Sequence, residues 1–156
     1  RVGLVEFGHH LRYLLPAAGR RAWYRMLATL ADTRAATSYV THEVSQVPPR
    51  VLPPQALVIA LTGLVNERFS HALVNLSSRG FDVAVICISA AALLPGAVDA
   101  PAPVQLAARM WRLRERARMA SLADTGIPMV TWNVDEPVAQ AVRDLDAARR
   151  RRGRRR

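Results

Sequence analysis

The residues that could carry chemistry in this sequence are few and widely separated. They are four histidines and one cysteine: His9, His10, His42, His71 and Cys87. His9 and His10 are neighbours in a predicted turn and His42 and His71 lie on separate predicted helices, so the spacing favours ordinary solvated or core histidines over metal ligands. Cys87 lies in the middle of an apolar predicted strand, where a buried thiol is commonly inert. A single cysteine excludes an internal disulfide and suits a reducing compartment.

The remaining polar pairs also lack a catalytic pattern. Ser77 and Ser78 precede a predicted helix end and show no nucleophile-elbow spacing. Asp135 and Glu136 could form an acid pair, but Pro137 beside them predicts the first turn of a helix, where negative charge suits the dipole. No glycine-rich phosphate loop follows a predicted strand. We therefore expect no catalytic residue and no cofactor.

The elements that must position these residues alternate along the chain. Apolar runs predict strands at Val2–Phe7, Leu11–Leu15, Ala56–Leu61, Asp82–Ile88 and Ile127–Trp132. Helical spacing predicts intervening helices whose buried residues are Trp23, Met26, Leu27 and Leu30; Val40, Val44 and Val47; Phe69, Leu73 and Leu76; Leu106, Met110, Leu113, Ala117 and Ala120; and Val138, Val142 and Leu145. This order predicts an α/β fold: an open, mostly parallel sheet with helices on both faces and an antiparallel edge hairpin.

Charge is concentrated at the end of the chain. All 22 basic residues are arginine, the net charge is +10, and seven arginines fall in 149–156, which leaves +3 for the rest. We predict one domain over 1–148 and a disordered arginine-rich tail over 149–156. The tail suits contact with anionic lipid or non-specific contact with nucleic acid, through Arg149, Arg150, Arg151, Arg152, Arg154, Arg155 and Arg156. No apolar run is long enough to span a bilayer.

Five stretches of the chain resemble one known family. They are "RVGLVEFG", "AGRR", "LPPQALVIALTGLVNERF", "LSSRGFDVAVICIS" and "GIPMVTWNVDEP". Their order and spacing resemble the C-terminal part of the domain of unknown function 58 family, up to about Val142. Proteins of that family are similar to von Willebrand factor A domains and are often encoded beside MoxR-type AAA+ ATPases.

The resemblance implies where a metal site would lie. In von Willebrand factor A-like folds, an Asp-x-Ser-x-Ser loop, a second-loop Thr and a third-loop Asp bind a hard cation. The first loop would lie upstream of Arg1. Thr37 falls where the second-loop Thr would be, although a helix N-cap is the favoured role for it. Gly63 falls where relatives often have the Asp, and Asn66 and Glu67 are expected to begin a helix, so we expect no metal.

The resemblance also implies a function and a place in the cell. We expect a non-catalytic protein-interaction module that works with a MoxR-type AAA+ ATPase in the assembly or maturation of other proteins. The parent protein would be anchored in the cell membrane by helices upstream of Arg1, with this module on the cytoplasmic side. The sheet would then lack its central strand, which leaves the two flanking strands, Val2–Phe7 and Ala56–Leu61, with unpaired edges. A nucleic-acid binder acting through the arginines is the alternative, and an α/β hydrolase rests on fold class alone.

Overall fold

The computed structural model describes residues 1–7, 11–33, 47–48, 50–89 and 100–153. Within them the chain divides into two compact units, Arg1–Ala56 and Leu57–Arg156, where we predict a single domain over 1–148. The element order is β1 (Val2–Phe7), β2 (Leu11–Ala17), α1 (Arg20–Ala31), β3 (Leu57–Thr62), α2 (Glu67–Ser78), β4 (Asp82–Ile88), α3 (Ala102–Asp124), β5 (Met129–Trp132) and α4 (Val138–Gly153). The predicted helix that contains Val40, Val44 and Val47 falls largely outside the described residues, as do His9, His10 and His42.

The first unit contains an antiparallel hairpin and one helix. β1 pairs with β2 through partners such as Val5 and Tyr13, and the cross-strand pair of Glu6 and Arg12 places their charged atoms 3.6 Å apart. The register shifts beside Gly3, where an added Cβ would lie 3.0 Å from the carbonyl oxygen of Leu14, so a side chain would crowd the partner strand. The hairpin is a two-stranded sheet of its own, so the predicted antiparallel hairpin forms but is not hydrogen-bonded to the parallel strands.

α1 begins after Gly19, whose φ of 89° is readily adopted only by glycine. The predicted helix is confirmed, but its apolar stripe is not in a core. Trp23, Leu27 and Leu30 are all exposed, and α1 contains no buried residue. Helical periodicity identifies which residues share a face, but it does not show that the face is covered.

The second unit contains a parallel three-stranded sheet with the order β3-β4-β5. The alternation of strands and helices confirms the predicted α/β class. β4 is the central strand, and Val83, Ala84, Val85, Ile86 and Cys87 are buried along it. A run of consecutive buried apolar residues is the pattern of a strand covered on both faces, as the sequence predicts.

Helices flank this sheet. Ala84 and Ile86 of β4 pack with Ala141 and Leu145 of α4, beside the half-buried Val130 and Trp132 of β5. Next along β4, Cys87 faces α3, and α2 packs against both β4 and α3 with Leu73 and Leu76 buried. Because in-register residues of neighbouring parallel strands share a face, Leu57, Ile59 and Leu61 of β3 lie on the α4 face. They are 44%, 44% and 56% exposed.

The buried side of α3 differs from the prediction. The residues predicted to be buried are exposed, namely Leu106, Met110, Leu113, Ala117 and Ala120. The buried residues are instead Ala108, Glu115 and Leu122, which recur every seven positions and form the opposite face of the helix. α3 thus turns a charged residue inward and its apolar stripe outward. None of the described helices combines the length and apolarity that crossing a bilayer requires.

Candidate functional site at the ends of the parallel strands

The carboxyl ends of the three parallel strands lie at one edge of the sheet. Thr62 at the end of β3 is in register with Cys87 of β4, and Ile88 of β4 is in register with Trp132 at the end of β5. The loops that follow therefore leave the sheet on the same side. In open α/β sheets this edge is where ligands bind, so its side chains define the candidate site.

The loop after β3 is held by its own polar groups. The hydroxyl oxygen of Thr62 accepts a hydrogen bond of 3.0 Å from the backbone N–H of Leu64. Leu64 is buried at a φ of 50°, a left-handed conformation that is uncommon for a residue other than glycine. Its carbonyl oxygen accepts a hydrogen bond of 3.1 Å from Arg118 of α3. Thr62 and Leu64 thus have partners within the fold.

Gly63 is not required by the backbone. Its φ is not positive, and an added Cβ would lie 3.4 Å from a methyl carbon of Val65 and 3.5 Å from the carbonyl oxygen of Ile88, which is ordinary van der Waals contact. The Cβ of an aspartate would therefore fit at this position. The backbone conformation does not explain why position 63 lacks a carboxylate. Thr37, the other position that the resemblance matches to a metal ligand, lies outside the described residues.

The residues after this loop begin α2, as predicted. The side-chain oxygen of Asn66 accepts a hydrogen bond of 2.9 Å from the backbone N–H of Arg68, which makes Asn66 the N-cap. Glu67 lies in the first turn, where its charge suits the helix dipole, and its carboxylate is 3.8 Å from Arg118. Gly80, with a φ of 90°, follows the end of the helix.

Glu115 is the centre of a polar cluster at this edge. It is the one buried charged residue among those the structure describes. One carboxylate oxygen accepts a hydrogen bond of 3.1 Å from the hydroxyl of Ser89, which follows β4 directly, and the other lies 4.0 Å from the sulfur of Cys87. Because a buried carboxylate is costly without hydrogen bonds, these contacts fix where α3 sits on the end of β4.

The cluster holds Cys87 in its protonated form. Cys87 is a free thiol that is fully buried. Burial, and secondarily the negative charge of Glu115, raises the pKa of the Cys87 thiol to about 11. A thiolate is the reactive form of cysteine. The predicted burial is confirmed, and this environment disfavours nucleophilic chemistry at Cys87.

The contacts of Glu115 with Ser89 and Cys87 therefore suit a structural role, in which they join α3 to the end of β4, better than a catalytic role. A serine hydroxyl that donates to a carboxylate has no strong base to remove its proton, and no histidine links Glu115 to Ser89 in the described part of the chain. In the same part, no group of three or more histidine, cysteine, aspartate or glutamate side chains is arranged to hold a metal ion. His71 lies on α2, and Ser78 donates a hydrogen bond to the carbonyl oxygen of Asn75 at the end of that helix.

The acidic pair after β5 lies in a turn and not in a helix. The backbone N–H of Glu136 donates to the carbonyl oxygen of Asn133, and the indole N–H of Trp132 donates to the carbonyl oxygen of Glu136, each over 2.9 Å. α4 starts at Val138, after Pro137, so the prediction that Asp135 and Glu136 form its first turn is wrong. The side-chain amide of Asn133 also donates a hydrogen bond of 3.3 Å to the Glu136 carboxylate, which adds a second contact within the turn.

The arginine-rich segment is helical over most of its length. α4 continues through Arg150, Arg151 and Arg152 to Gly153, where we predict a disordered tail. Arg149 forms ion pairs with Asp82 of β4 and with Asp146 one turn earlier. Arginine side chains near a helix C-terminus interact favourably with its dipole, which explains why the helix extends here. Arg154, Arg155 and Arg156 lie outside the described residues.

Sequence reasoning missed Glu115, Ser89 and Arg118. Glu115 is on the side of α3 that periodicity marks as polar, and Ser89 looks like the first residue of a loop. One signal was present: Glu115 is the single acid between Arg109 and Arg118, a segment that contains five arginines.

Comparison of the chain with protein-family models, with curated proteins and with solved structures finds no match.

Proposed function

We propose that this chain is a non-catalytic protein-interaction module of the von Willebrand factor A-like kind. It works with a MoxR-type AAA+ ATPase in the assembly or maturation of other proteins, on the cytoplasmic side of a membrane in which upstream helices anchor the parent protein. The resembling stretches support this, because "LPPQALVIALTGLVNERF" contains β3 and the start of α2, and "LSSRGFDVAVICIS" contains β4. They thus follow one another in a parallel α/β unit.

The observation that carries the proposal is the closed loop after β3. The hydroxyl of Thr62 accepts a hydrogen bond from the backbone N–H of Leu64, and the carbonyl oxygen of Leu64 accepts one from Arg118. Asn66 caps α2. Beside the loop, Ser89 and Glu115 bind each other. These described polar groups are engaged inside the fold, which favours recognition through surfaces over chemistry at this loop.

The test is to mix the full-length protein encoded by the gene with a MoxR-type ATPase encoded beside it. We expect the two proteins to co-purify and the rate of ATP turnover to change. A control in which Leu64 is replaced by Asp, which places a charge at a buried position, should lose both effects together with its folded structure. No association and no change in turnover with the folded protein would refute the proposal.

The alternative, a nucleic-acid binder, draws on the arginines at the end of α4. Arg150 has an exposed side chain and Arg151 is exposed, so both are accessible to phosphates. The deletion that tests this begins at residue 150, because Arg149 pairs with Asp82 and its removal would loosen α4. Binding of DNA or RNA that falls steeply with salt and disappears on this deletion would favour the alternative.

A further inference from the structure

The outward face of α3 is apolar along two turns. Leu106, Met110 and Leu113 recur at intervals of four and three residues and are 60%, 50% and 57% exposed. We call these three residues the α3 stripe. The opposite face of the helix, with Glu115 at its centre, packs inward. The stripe therefore has helical packing geometry but no cover from the helix's own contacts to the sheet.

Positive charge borders the α3 stripe. A cavity of about 670 Å³ lies beside the helix, and its described lining is formed by Ala102, Gln105, Leu106, Arg109, Arg112, Leu113 and Arg116. Within the described residues, none of Arg109, Arg112 and Arg116 forms an ion pair with a carboxylate. Three guanidinium groups beside exposed leucines are thus available to an acidic partner.

We propose that the α3 stripe binds an acidic amphipathic helix of a partner protein. Its three apolar side chains span roughly 10 Å along the axis, which matches about two turns of a helix laid alongside. Carboxylates on the partner's flank would meet Arg109, Arg112 and Arg116, and such pairing sets orientation and excludes basic partners. Methionine between two leucines adapts to an irregular apolar surface.

Charge argues against a second copy of this chain as the occupant. Another described helix with a largely exposed apolar stripe, α1, carries Arg20, Arg21 and Arg25 beside Trp23 and has no acidic residue in its first turn. Two basic helices would repel each other across an apolar contact. Like charge therefore favours a foreign, acidic helix.

The composition of the α3 stripe argues against a bilayer and against nucleic acid. The stripe contains no tryptophan or tyrosine, the residues that anchor proteins at a membrane interface. Nucleic acid would use the arginines but leave the leucines in water, since its phosphates bind guanidinium groups and its bases stack on aromatic side chains or guanidinium planes. A helix with carboxylates beside leucines uses both features at once.

The experiment uses the whole 156-residue chain and a fluorescent helical peptide made of leucine and glutamate, with leucines on one face. Three further probes are a peptide of the same composition with its leucines dispersed, vesicles of phosphatidylglycerol and phosphatidylcholine, and a short DNA duplex. We expect the patterned peptide to bind at least about tenfold more tightly than the dispersed one. Tighter binding of vesicles or duplex, or equal binding of the two peptides, would overturn the proposal.

Variants locate the site. Leu106→Ser with Leu113→Ser, and Arg109→Glu with Arg116→Glu, should each weaken peptide binding by at least about tenfold. All four residues are exposed, so the fold is expected to persist. The matched control is Arg150→Glu with Arg151→Glu, which makes the same charge change on α4. Equal weakening by the control would show general electrostatic attraction and overturn the proposal.

This inference rests on the proposed interaction function but not on the identity of its partner. Peptide binding that requires the α3 stripe, together with no association with the ATPase, would refute the proposed partner and support the inference. Association with the ATPase that survives both α3 variants would do the reverse.

Discussion

The guanidinium group of Arg149 forms an ion pair with the carboxylate of Asp82. Arg149 lies near the end of α4, and Asp82 is the first residue of β4. The contact joins the last helix to the central strand of the parallel sheet, beyond the apolar packing of Ala141 and Leu145. Arg149 therefore belongs to the folded unit and not to a solvated tail.

Removing this pair should destabilise the protein modestly. The two side chains are 26% and 48% exposed, so we expect Arg149→Ala to lower the free energy of unfolding by about 0.5–1 kcal/mol. Arg150→Ala is the matched control, since Arg150 is 83% exposed and pairs only with Asp146 within the described residues. Urea denaturation of both variants, of Asp82→Ala and of the double variant measures the coupling. Equal stability of Arg149→Ala and Arg150→Ala would contradict the structural role.

The predicted boundary between the domain and the arginine-rich tail, at residue 148, illustrates which features of a fold can be predicted from sequence. A run of arginines predicts a solvated end because charge repulsion opposes burial, and the same run gives no sign that Asp82, 67 positions earlier, offers a partner. Sequence patterns predicted correctly those features that depend on neighbouring residues, such as helix ends and strand burial. Asn66 caps α2 and Gly80 ends it, and the consecutive apolar residues of β4 are covered on both faces.

The side of a helix that faces the core is not a local property. The spacing of Leu106, Met110 and Leu113 identifies an apolar face, but the structure packs the opposite face of α3 around Glu115. Burying that carboxylate requires Cys87 of β4 and Ser89, which follows β4 directly. Such contacts depend on three-dimensional arrangement, so the sequence predicts the elements of the candidate site but not its centre.

Glu115 should act through its hydrogen bonds and not through its charge. Glu115→Gln keeps an oxygen that can accept from Ser89 and removes a buried charge, so we expect stability to be unchanged or higher. Glu115→Ala leaves the Ser89 hydroxyl without this acceptor and should lower the free energy of unfolding by roughly 1–3 kcal/mol. Urea denaturation at neutral pH compares them. A larger loss in Glu115→Gln than in Glu115→Ala would show that the charge itself is needed.

The Cys87 thiol should resist modification in the native state. It is fully buried, and its pKa of about 11 leaves little thiolate at neutral pH. We expect a thiol reagent to react only as fast as the protein opens. Glu115→Gln should not accelerate the reaction, because the opened state in which the thiol reacts has lost its contact with Glu115. Rapid reaction of the folded wild-type protein would contradict the burial.

The same thiol gives stability a dependence on pH. Its pKa is raised from 9.0 to about 11 on folding, so the folded state holds the proton more tightly than the unfolded state. The contribution is fully present below pH 9 and is lost as pH rises through about 11. Cys87→Ala should show a shallower fall in unfolding free energy over this window. Identical slopes for the two proteins would argue against the raised pKa.

Divalent cations should not bind the loop after β3. Gly63 supplies no carboxylate, and the hydroxyl of Thr62 already accepts a hydrogen bond from Leu64. Calorimetry with Mg²⁺, Mn²⁺ and Ca²⁺ should detect no heat of binding. Gly63→Asp is the informative variant, because its Cβ fits and it adds one hard oxygen donor. Micromolar affinity in the wild-type protein would overturn the prediction.

The exposed edge of β3 should make the chain prone to association. β3 is an edge strand of its sheet, and Leu57, Ile59 and Leu61 are exposed on its α4 face. An apolar edge with unpaired backbone groups invites pairing with another strand, and covering such surface stabilises by about 25 cal/mol per Å². We therefore expect concentration-dependent association of the 156-residue chain, measured by sedimentation velocity.

Ile59→Lys should reduce this association, because a charge on an edge strand opposes strand addition. Thr131→Lys on β5, the opposite edge, is the matched control, since Thr131 is exposed and polar already. A monomeric wild-type chain with a cooperative melt, or equal effects of the two lysine variants, would show that the β3 edge is not the site of association.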